Sequence, residues 1–496
     1  MSTASGVARL DRNAVGLLPT LFQSITHMAP AAAVAFSIIV GVPYAGGSIS
    51  LAVLLALVAC LLVAISIGQL ARHLPSAGGL YTFSARGLGA GVGFLVAWGF
   101  MMAEPIVAPL LYLIFGNELA ANLNSHFGWP VWLWAPFAVV AGLIVWVLTY
   151  RGIRLSTEAG VALGSFEILV FLALAITLIV AAGGNNTLSV LAPTTGNAKG
   201  WGSIFPAMIF AILAFIGFEA SAPLGEEARD PRRTIPRAVI LSCVLIGVFY
   251  LVCYYAATVY FGPGNMAGKF INYNGGDPWS GMAQKVWGPG IILVILAVLN
   301  SAIANSNAGV NAATRVGYAL GRIGLLPRAF ASVHTRFKTP YVAINVQAIG
   351  GIVLAVGLGI VAGGPLPAFA LLGTVATIIV VAIYILTNLS NLVFYARERR
   401  GEFNWFLNGV VPVVGSLIFL PALVAAFGID FAGLGITPLG PPANLAPLII
   451  AAWMVVGVVL LFYFRARQPQ RIAETGRIFV DDPEREPSPQ PAPISR

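Results

Sequence analysis

Long apolar runs separated by short polar interruptions fill the chain from residue 17 to residue 465. Twelve runs are legible, at about 17–42, 48–72, 88–116, 131–150, 157–182, 203–224, 237–261, 288–312, 341–362, 367–395, 405–428 and 445–465. Each is continuous and about 20 residues or longer, which is what a helix needs to cross a hydrocarbon core of about 30 Å. Strands of a membrane barrel would alternate in polarity over about ten residues, and these runs do not. The pattern predicts an all-α polytopic membrane protein with twelve transmembrane helices. The first run contains Pro19, Gln23, His27 and Pro30. It has no compact apolar centre of the kind a cleaved leader carries, so it reads as a retained, broken helix.

Two of the runs are interrupted at their midpoints. The first reads Ser24-Ile25-Thr26-His27-Met28-Ala29-Pro30-Ala31-Ala32-Ala33, and the sixth reads Ile216-Gly217-Phe218-Glu219-Ala220-Ser221-Ala222-Pro223. In hydrocarbon every backbone N–H and C=O needs a partner, so a break survives only where it lines a cavity. These two runs open successive sets of five helices, spans 1–5 and 6–10. Five is odd, so the second set is inverted relative to the first. The expectation is a 5+5 inverted repeat with broken helices 1 and 6, followed by two C-terminal helices. Paired breaks in inverted repeats point to a substrate site near the bilayer midplane. Freed amides there suit an anionic group and freed carbonyls a cationic one. The alternative is two structural proline kinks.

Composition and charge narrow the class. Of 496 residues, 58% are hydrophobic and 9% charged, against roughly 25% charged in soluble domains; the mean hydropathy is +0.89. The net charge of +9 suggests nucleic acid only until the charges are sorted by side. With loops alternating across the membrane, 24 of the 27 Lys and Arg fall on the side of both termini, leaving Lys199, Lys269 and Lys285 on the other. That asymmetry predicts cytoplasmic termini in a bacterial-type plasma membrane and removes the argument for a nucleic-acid partner. The partners expected are the lipid bilayer and a small molecule; the oligomeric state is not legible. Residues 1–16 form an N-terminal cytoplasmic tail, 17–396 a ten-helix core and 397–466 the last two helices. Residues 467–496, rich in Pro, Glu, Asp and Arg, are expected to be disordered.

Enzyme and metal signatures are missing. Cys60, Cys243 and Cys253 all lie inside apolar runs and make neither a disulfide framework nor a zinc spacing. The Gly262–Lys269 stretch has the wrong spacing for a phosphate loop, and Gly87 to Gly93 does not fit a dinucleotide fingerprint. The four histidines are scattered and no TVGYG filter occurs. No catalytic residue, cofactor or bound metal is expected.

Three carboxylates lie deep within spans: Glu104 in the third, Glu167 in the fifth and Glu219 in the sixth. No Lys or Arg falls comparably deep. An ionised acid at mid-bilayer costs about 2.5–3.5 kcal/mol on the insertion scale. Either the acids carry protons or a cationic ligand or ion neutralises them. Glu219 lies in a helix break, which favours a role in transport chemistry. His27, beside the other break, is a lesser candidate for a proton path. Protonated glutamates acting only as hydrogen-bonding links between helices are the alternative.

These residues resemble the amino acid–polyamine–organocation permease family over most of 15–400. The stretch Phe215-Ile216-Gly217-Phe218-Glu219-Ala220, then Glu226-Glu227-Ala228-Arg229-Asp230-Pro231 and Thr234-Ile235-Pro236-Arg237-Ala238, is similar to the family's sixth-helix signature. Two further signatures are Thr314 to Pro327 with His334 to Pro340, and Leu74 to Tyr81. The resemblance implies the leucine-transporter fold and a secondary active transporter that imports an amino acid or related amine by alternating access. It implies that the backbone at Met28, Ala29, Pro30, Ala31 and Ala32 receives the substrate carboxylate, and that Gly217, Phe218, Glu219 and Ala220 receive the amine. Phe218 would be an aromatic wall, and Glu219 a proton-responsive carboxylate.

The chain departs from that family pattern in two places. Glu167 stands where several proton-coupled relatives carry a lysine in place of sodium. Asn300 and Ser301 fall where sodium-coupled members place oxygen ligands. The expected coupling ion is H⁺, with Na⁺ as the alternative. Glu104, near Pro105 and Pro109, is similar to the third-helix acid of cationic amino acid and putrescine carriers, one residue out of register. A polyamine carrier, an exchanger and, in a different class, a passive channel or receptor stay open.

Overall fold

A chain that enters hydrocarbon must close its own backbone hydrogen bonds, and this one does so almost entirely as helix. The computed structural model describes residues 15–473, except 77, 323, 430–432 and 434; of residues 153–159 and 275–276 only the backbone is described. The main helices are α1 Leu17–His27, α2 Pro30–Ala32, α3 Val42–Ala45, α4 Ile49–Ala71, α5 Leu80–Leu88, α6 Ala90–Phe127, α7 Trp134–Arg151 and α8 Ile153–Ala182. They continue as α9 Trp201–Phe215, α10 Pro231–Phe261, α11 Pro278–Trp287, α12 Ile291–Arg322, α13 Tyr341–Val361 and α14 Pro365–Arg397. The last four are α15 Val411–Leu417, α16 Leu420–Ala426, α17 Ala446–Arg467 and α18 Pro469–Ala473. One short parallel bridge, Val15 to Ala228, is the only β-type pairing among the described residues.

Every apolar run coincides with helix, and the protein is an all-helical polytopic membrane protein. Among the described residues eleven helical stretches are long and apolar enough to cross a membrane. The first, Leu17–Ala71, has 55 residues and as an ideal helix would measure about 80 Å. That exceeds twice the hydrocarbon thickness, and the stretch contains the first two predicted runs. It changes character along its length, from α2 through a π-turn at Ala33–Ser37 and a 3-10 turn at Ile38–Gly41 to α3 and α4.

Burial sorts the helices into centre and rim. α9 is buried almost throughout, whereas α17 leaves Leu448, Val455 and Phe462 exposed and α13 exposes Ile349 and Val353. Such apolar faces suit lipid tails. α17 is fastened to α6 by a reciprocal pair: the Trp98 indole N–H donates to the Trp453 carbonyl at 2.8 Å and the Trp453 indole to the Trp98 carbonyl at 2.9 Å. The two rings stack at 4.4 Å.

The expected C-terminal tail begins differently from the prediction. Its first residues form α18, where Ile472 is buried against Phe94 and Leu461 and the Arg471 Nη1 donates to the Gly324 carbonyl at 2.6 Å. A single apolar residue among polar neighbours gave no periodic signal for this. Residues 474–496 and 1–14, including Arg9 and Arg12, lie outside the described residues.

Candidate functional site

The first predicted break is real. The Met28 amide turns back to the Ser24 and Ile25 carbonyls at 3.1 and 3.2 Å. Ala29 then takes φ 48°, ψ 63°, a left-handed conformation that costs a non-glycine residue about 1–2 kcal/mol. Pro30, which has no N–H to lose, starts the next helix. Strain of this kind lasts only where neighbours hold it. Here the His27 carbonyl accepts from Asn305 Nδ2 at 2.6 Å, the Met28 carbonyl from the Tyr250 hydroxyl, and the Val34 carbonyl from the Tyr254 hydroxyl at 2.6 Å.

The amides just beyond the break are also engaged. The Ala31 N–H donates to Glu167 Oε2 at 3.0 Å, and the Ala32 N–H to the Ser301 hydroxyl at 3.1 Å. The Ser301 hydroxyl is itself a hydrogen-bond partner of Glu167. A carboxylate at a helix N-terminus faces unpaired amides and the positive end of the helix dipole. Asn300 does not join this cluster. Its side-chain amide donates to the Leu163 carbonyl at 2.7 Å, because one residue along α12 turns the side chain by about 100°.

The second break lies against the first. α9 ends at Phe215 and Gly217 takes φ 121°. A Cβ at Gly217 would fall 2.3 Å from His27 Cδ2 and 2.6 Å from the His27 carbonyl carbon, so only glycine lets the two backbones meet. The Ser24 hydroxyl bridges them, donating to the Phe218 carbonyl at 2.7 Å and accepting from the Ser221 N–H at 3.1 Å. The Ala220 N–H closes on the Gly217 carbonyl at 2.9 Å. Glu219 is buried, and its Oε2 accepts from the Gly217 N–H at 3.1 Å and the Tyr384 hydroxyl at 2.7 Å. Glu219 Oε1 has no hydrogen-bond partner among the described residues.

Glu104 approaches from α6. Its Oε2 lies 3.5 Å from His27 Nε2, with both side chains buried. His27 also lines a cavity of about 30 Å³ beside the first break, together with Met28, Ala29, Ser37, Asn305 and Phe369. That is room for about two waters, too little for an amino acid or amine. Of the sequence-predicted residues, His27, Met28, Ala29 and Ala32 border this cavity. Pro30, Ala31, Glu104, Glu167, Gly217, Phe218, Glu219, Ala220, Asn300 and Ser301 do not. Phe218 is fully buried with its ring 5.2 Å from that of Tyr384, and the aromatic facing the cavity is Phe369.

Several partners escaped sequence reasoning. Tyr250 and Tyr384 are separated from their partners Met28 and Glu219 by 222 and 165 residues, and nothing local marks them. At the arginine-rich end Arg315, part of the signature Thr314 to Pro327 with no partner assigned to it, is buried and pairs with Glu227 at 2.6 Å. Arg322 grips Glu226 with two bonds of 3.0 and 3.1 Å. The Val15 N–H donates to the Glu227 carbonyl at 3.2 Å, and the Arg229 N–H to the Val15 carbonyl at 2.9 Å. The signature after the sixth run therefore forms a clasp joining α12, the chain start and the segment beyond the second break.

A family model described as amino acid permease matches residues 16–462. Among curated proteins, the low-affinity putrescine importer PlaP of Escherichia coli is 27% identical over 79% of this chain and 83% of its own. The branched-chain amino acid permease BcaP of Lactococcus lactis is 24% identical over 87% of this chain and 90% of its own. The methylthioribose transporter of Bacillus subtilis is 24% identical over 85% and 86%.

Proposed function

The chain belongs to the amino acid permease family and is a transporter; from that premise we propose that it imports an amino acid or related amine across the plasma membrane by proton-coupled alternating access. In this reading the membrane is crossed twelve times, with both termini cytoplasmic, and helices 1–5 and 6–10 are inverted repeats. Spans 1, 2, 6 and 7 rock against spans 3, 4, 5, 8, 9 and 10.

The observation that carries the reading is the meeting of the two helix breaks. Gly217 abuts His27 and Ser24 ties one break to the other, while Glu104, on span 3, faces His27 from the opposing bundle. Discontinuous helices at mid-membrane are where a carrier binds its cargo and changes shape. Relatives named for putrescine and for branched-chain amino acids agree with a small nitrogenous substrate.

Glu219 is the residue to which we assign proton coupling. It is a buried acid in the moving segment, held by Tyr384 from the other bundle, so its protonation state acts on the contact that must change. Sodium coupling is the second reading, because Glu167 adjoins Ser301 at the position where the resemblance places sodium ligands. Against it, the Ala31 and Ala32 amides already donate to Glu167 Oε2 and the Ser301 hydroxyl, and Asn300 turns away.

The test is Glu219→Gln in proteoliposomes. The variant is expected to insert and fold but to take up substrate at a rate independent of external pH. A proton dependence equal to that of the wild type overturns the coupling role.

A further inference from the structure

Lysine is scarce in this chain, and two of its lysines meet in one place. α10 starts beside the arginine-rich clasp at Pro231 and ends at Phe261, about 46 Å away as an ideal helix. On the side where it ends, the order of the loops leaves Lys199, Lys269 and Lys285 as the basic residues. Lys269 and Lys285 line the same cavity, of about 480 Å³, together with Tyr260, Asn265, Tyr273 and the buried Met282. Lys269 comes from the turn Met266–Phe270 and Lys285 from α11, so the fold and not local sequence brings the two ammonium groups to one space. None of these residues borders the cavity at the helix breaks.

The partners of both lysines are neutral. Lys269 Nζ donates to Asn265 Oδ1 at 3.1 Å, and Lys285 Nζ stands 5.1 Å from the centre of the Tyr273 ring. Among the described residues no Asp or Glu lines the cavity. Asp277, the acid nearest in sequence, caps α11 by accepting the Ser280 N–H at 3.1 Å and is not in the cavity wall. Two like charges that share a space repel each other, and a bound anion turns that repulsion into attraction. An ammonium group is a compact point charge suited to phosphate oxygens, and Tyr260 and Tyr273 carry hydroxyls that can donate to the same group.

The surroundings of the cavity say what carries the phosphate. The membrane-crossing stretch of α10 ends at Phe261 and the next begins at Pro278, so the cavity lies at the level where spans end and where tyrosine and tryptophan collect. Tyr260 packs against the cluster of Ala182, Val190 and Val259, and the Trp287 indole N–H donates to the Thr177 hydroxyl at 3.2 Å. Both contacts place the cavity over the end of α8. Along α8 the exposed side chains Leu169, Ile176 and Val180 recur at helical spacing and form one apolar stripe. We propose that the Lys269–Lys285 cavity binds the phosphate of an anionic phospholipid, whose acyl chain lies along that stripe. α8 also carries Glu167, which accepts from the Ala31 amide beyond the first break, so the lipid braces a helix that holds the break. The assignment depends neither on the identity of the substrate nor on the coupling ion.

The experiment uses the full-length protein in phosphatidylcholine vesicles doped with a phospholipid that carries a photoactivatable group on its acyl chain. The probe is phosphatidylglycerol or, as the uncharged control, phosphatidylcholine, and cross-linked peptides are mapped by mass spectrometry. Peptides of α8 from Leu169 to Val180 are expected to be labelled at least about three times more by the phosphatidylglycerol probe. The double variant Lys269→Gln with Lys285→Gln is expected to bring that labelling down to the phosphatidylcholine level. Lys199→Gln, which removes a lysine of the same face outside the cavity, is expected to leave it unchanged. Either single variant serves should the double variant misfold, with a partial loss expected. The arginines at the other end of the molecule also attract anionic lipid, but every variant keeps them, and the α8 peptides report only the stripe. Equal labelling by the two probes, labelling unchanged in the folded double variant, or an equal loss in Lys199→Gln each overturns the proposal. Excess glycerol 3-phosphate is expected to leave the labelling in place; its loss would assign the cavity to free phosphate esters and overturn the lipid.

Discussion

At the residue scale the account turns on positions where one atom decides the outcome. Gly217 takes a positive φ and leaves no space for a Cβ beside His27. Gly217→Ala adds a left-handed penalty of about 1–2 kcal/mol to a steric clash with backbone. Thermal melts of the purified variant should show a lower melting temperature, and vesicles containing it should show no uptake; wild-type behaviour in both would contradict the packing described. Tyr384→Phe removes one donor to Glu219 and no packing volume of consequence. A hydrogen bond to a charged group is worth about 1.5–3 kcal/mol, so uptake should fall roughly tenfold with the protein still folded. Glu219 and its neighbouring Gly217 and Pro223 were legible because an acid between two helix breakers stands out in an apolar run. Tyr384 was not, because its partner is 165 residues away. Asn300 was grouped with Ser301 on the family resemblance, and helix geometry separates them.

At the scale of elements, the breaks and the clasp divide the labour. The segment Phe218–Glu226 starts at the second break and ends at Glu226, beside the ion pair of Glu227 with Arg315. Motion at the break is thereby mechanically connected to the arginine-rich end. Removing one member of a buried pair strands the other and costs about 3–5 kcal/mol, whereas replacing both with apolar residues is often neutral. Arg315→Met and Glu227→Leu are each expected to lower the melting temperature sharply, and the double variant is expected to recover most of the loss. Additive losses in the double variant would show that the two side chains do not act as a pair. Helix positions were legible from hydropathy to within a few residues in most spans. The clasp was not, because the signatures that hold its members lie far apart in sequence and only the fold brings α12 against the segment after α9. α18 escaped for a related reason, since its one buried side chain, Ile472, has no apolar neighbour at helical spacing.

For the whole molecule, the small volume of the cavity bears on the mechanism proposed. Space for about two waters admits no substrate, so the bundle must open, and a carrier opens to one side at a time. Cys60, Cys243 and Cys253 are all buried, which gives a quiet background for thiol labelling. Ala376→Cys places a reporter in the cavity wall. A membrane-impermeant thiol reagent should reach it from either face, at rates that substrate changes in opposite directions; simultaneous fast labelling from both faces would describe a channel. The class of the molecule was legible from its apolar runs and rare charges, and the acids left inside the spans are buried in the folded protein. The closed state was not legible, because it depends on how Ala29, Ile216 and Phe369 pack together.

The central claim is active transport coupled to protons. Moving one charge inward yields about 2.3 kcal/mol per 100 mV, and each pH unit adds about 1.4 kcal/mol per proton, enough together to concentrate substrate more than about a hundredfold. The most direct test is the steady-state accumulation of labelled substrate in sealed proteoliposomes made about two pH units more acidic outside, with the membrane potential held at zero by valinomycin and equal potassium. The account predicts an internal concentration at least about ten times the external one, falling to equality when a protonophore collapses the pH gradient. Equilibration to the external concentration with the pH gradient intact would contradict it.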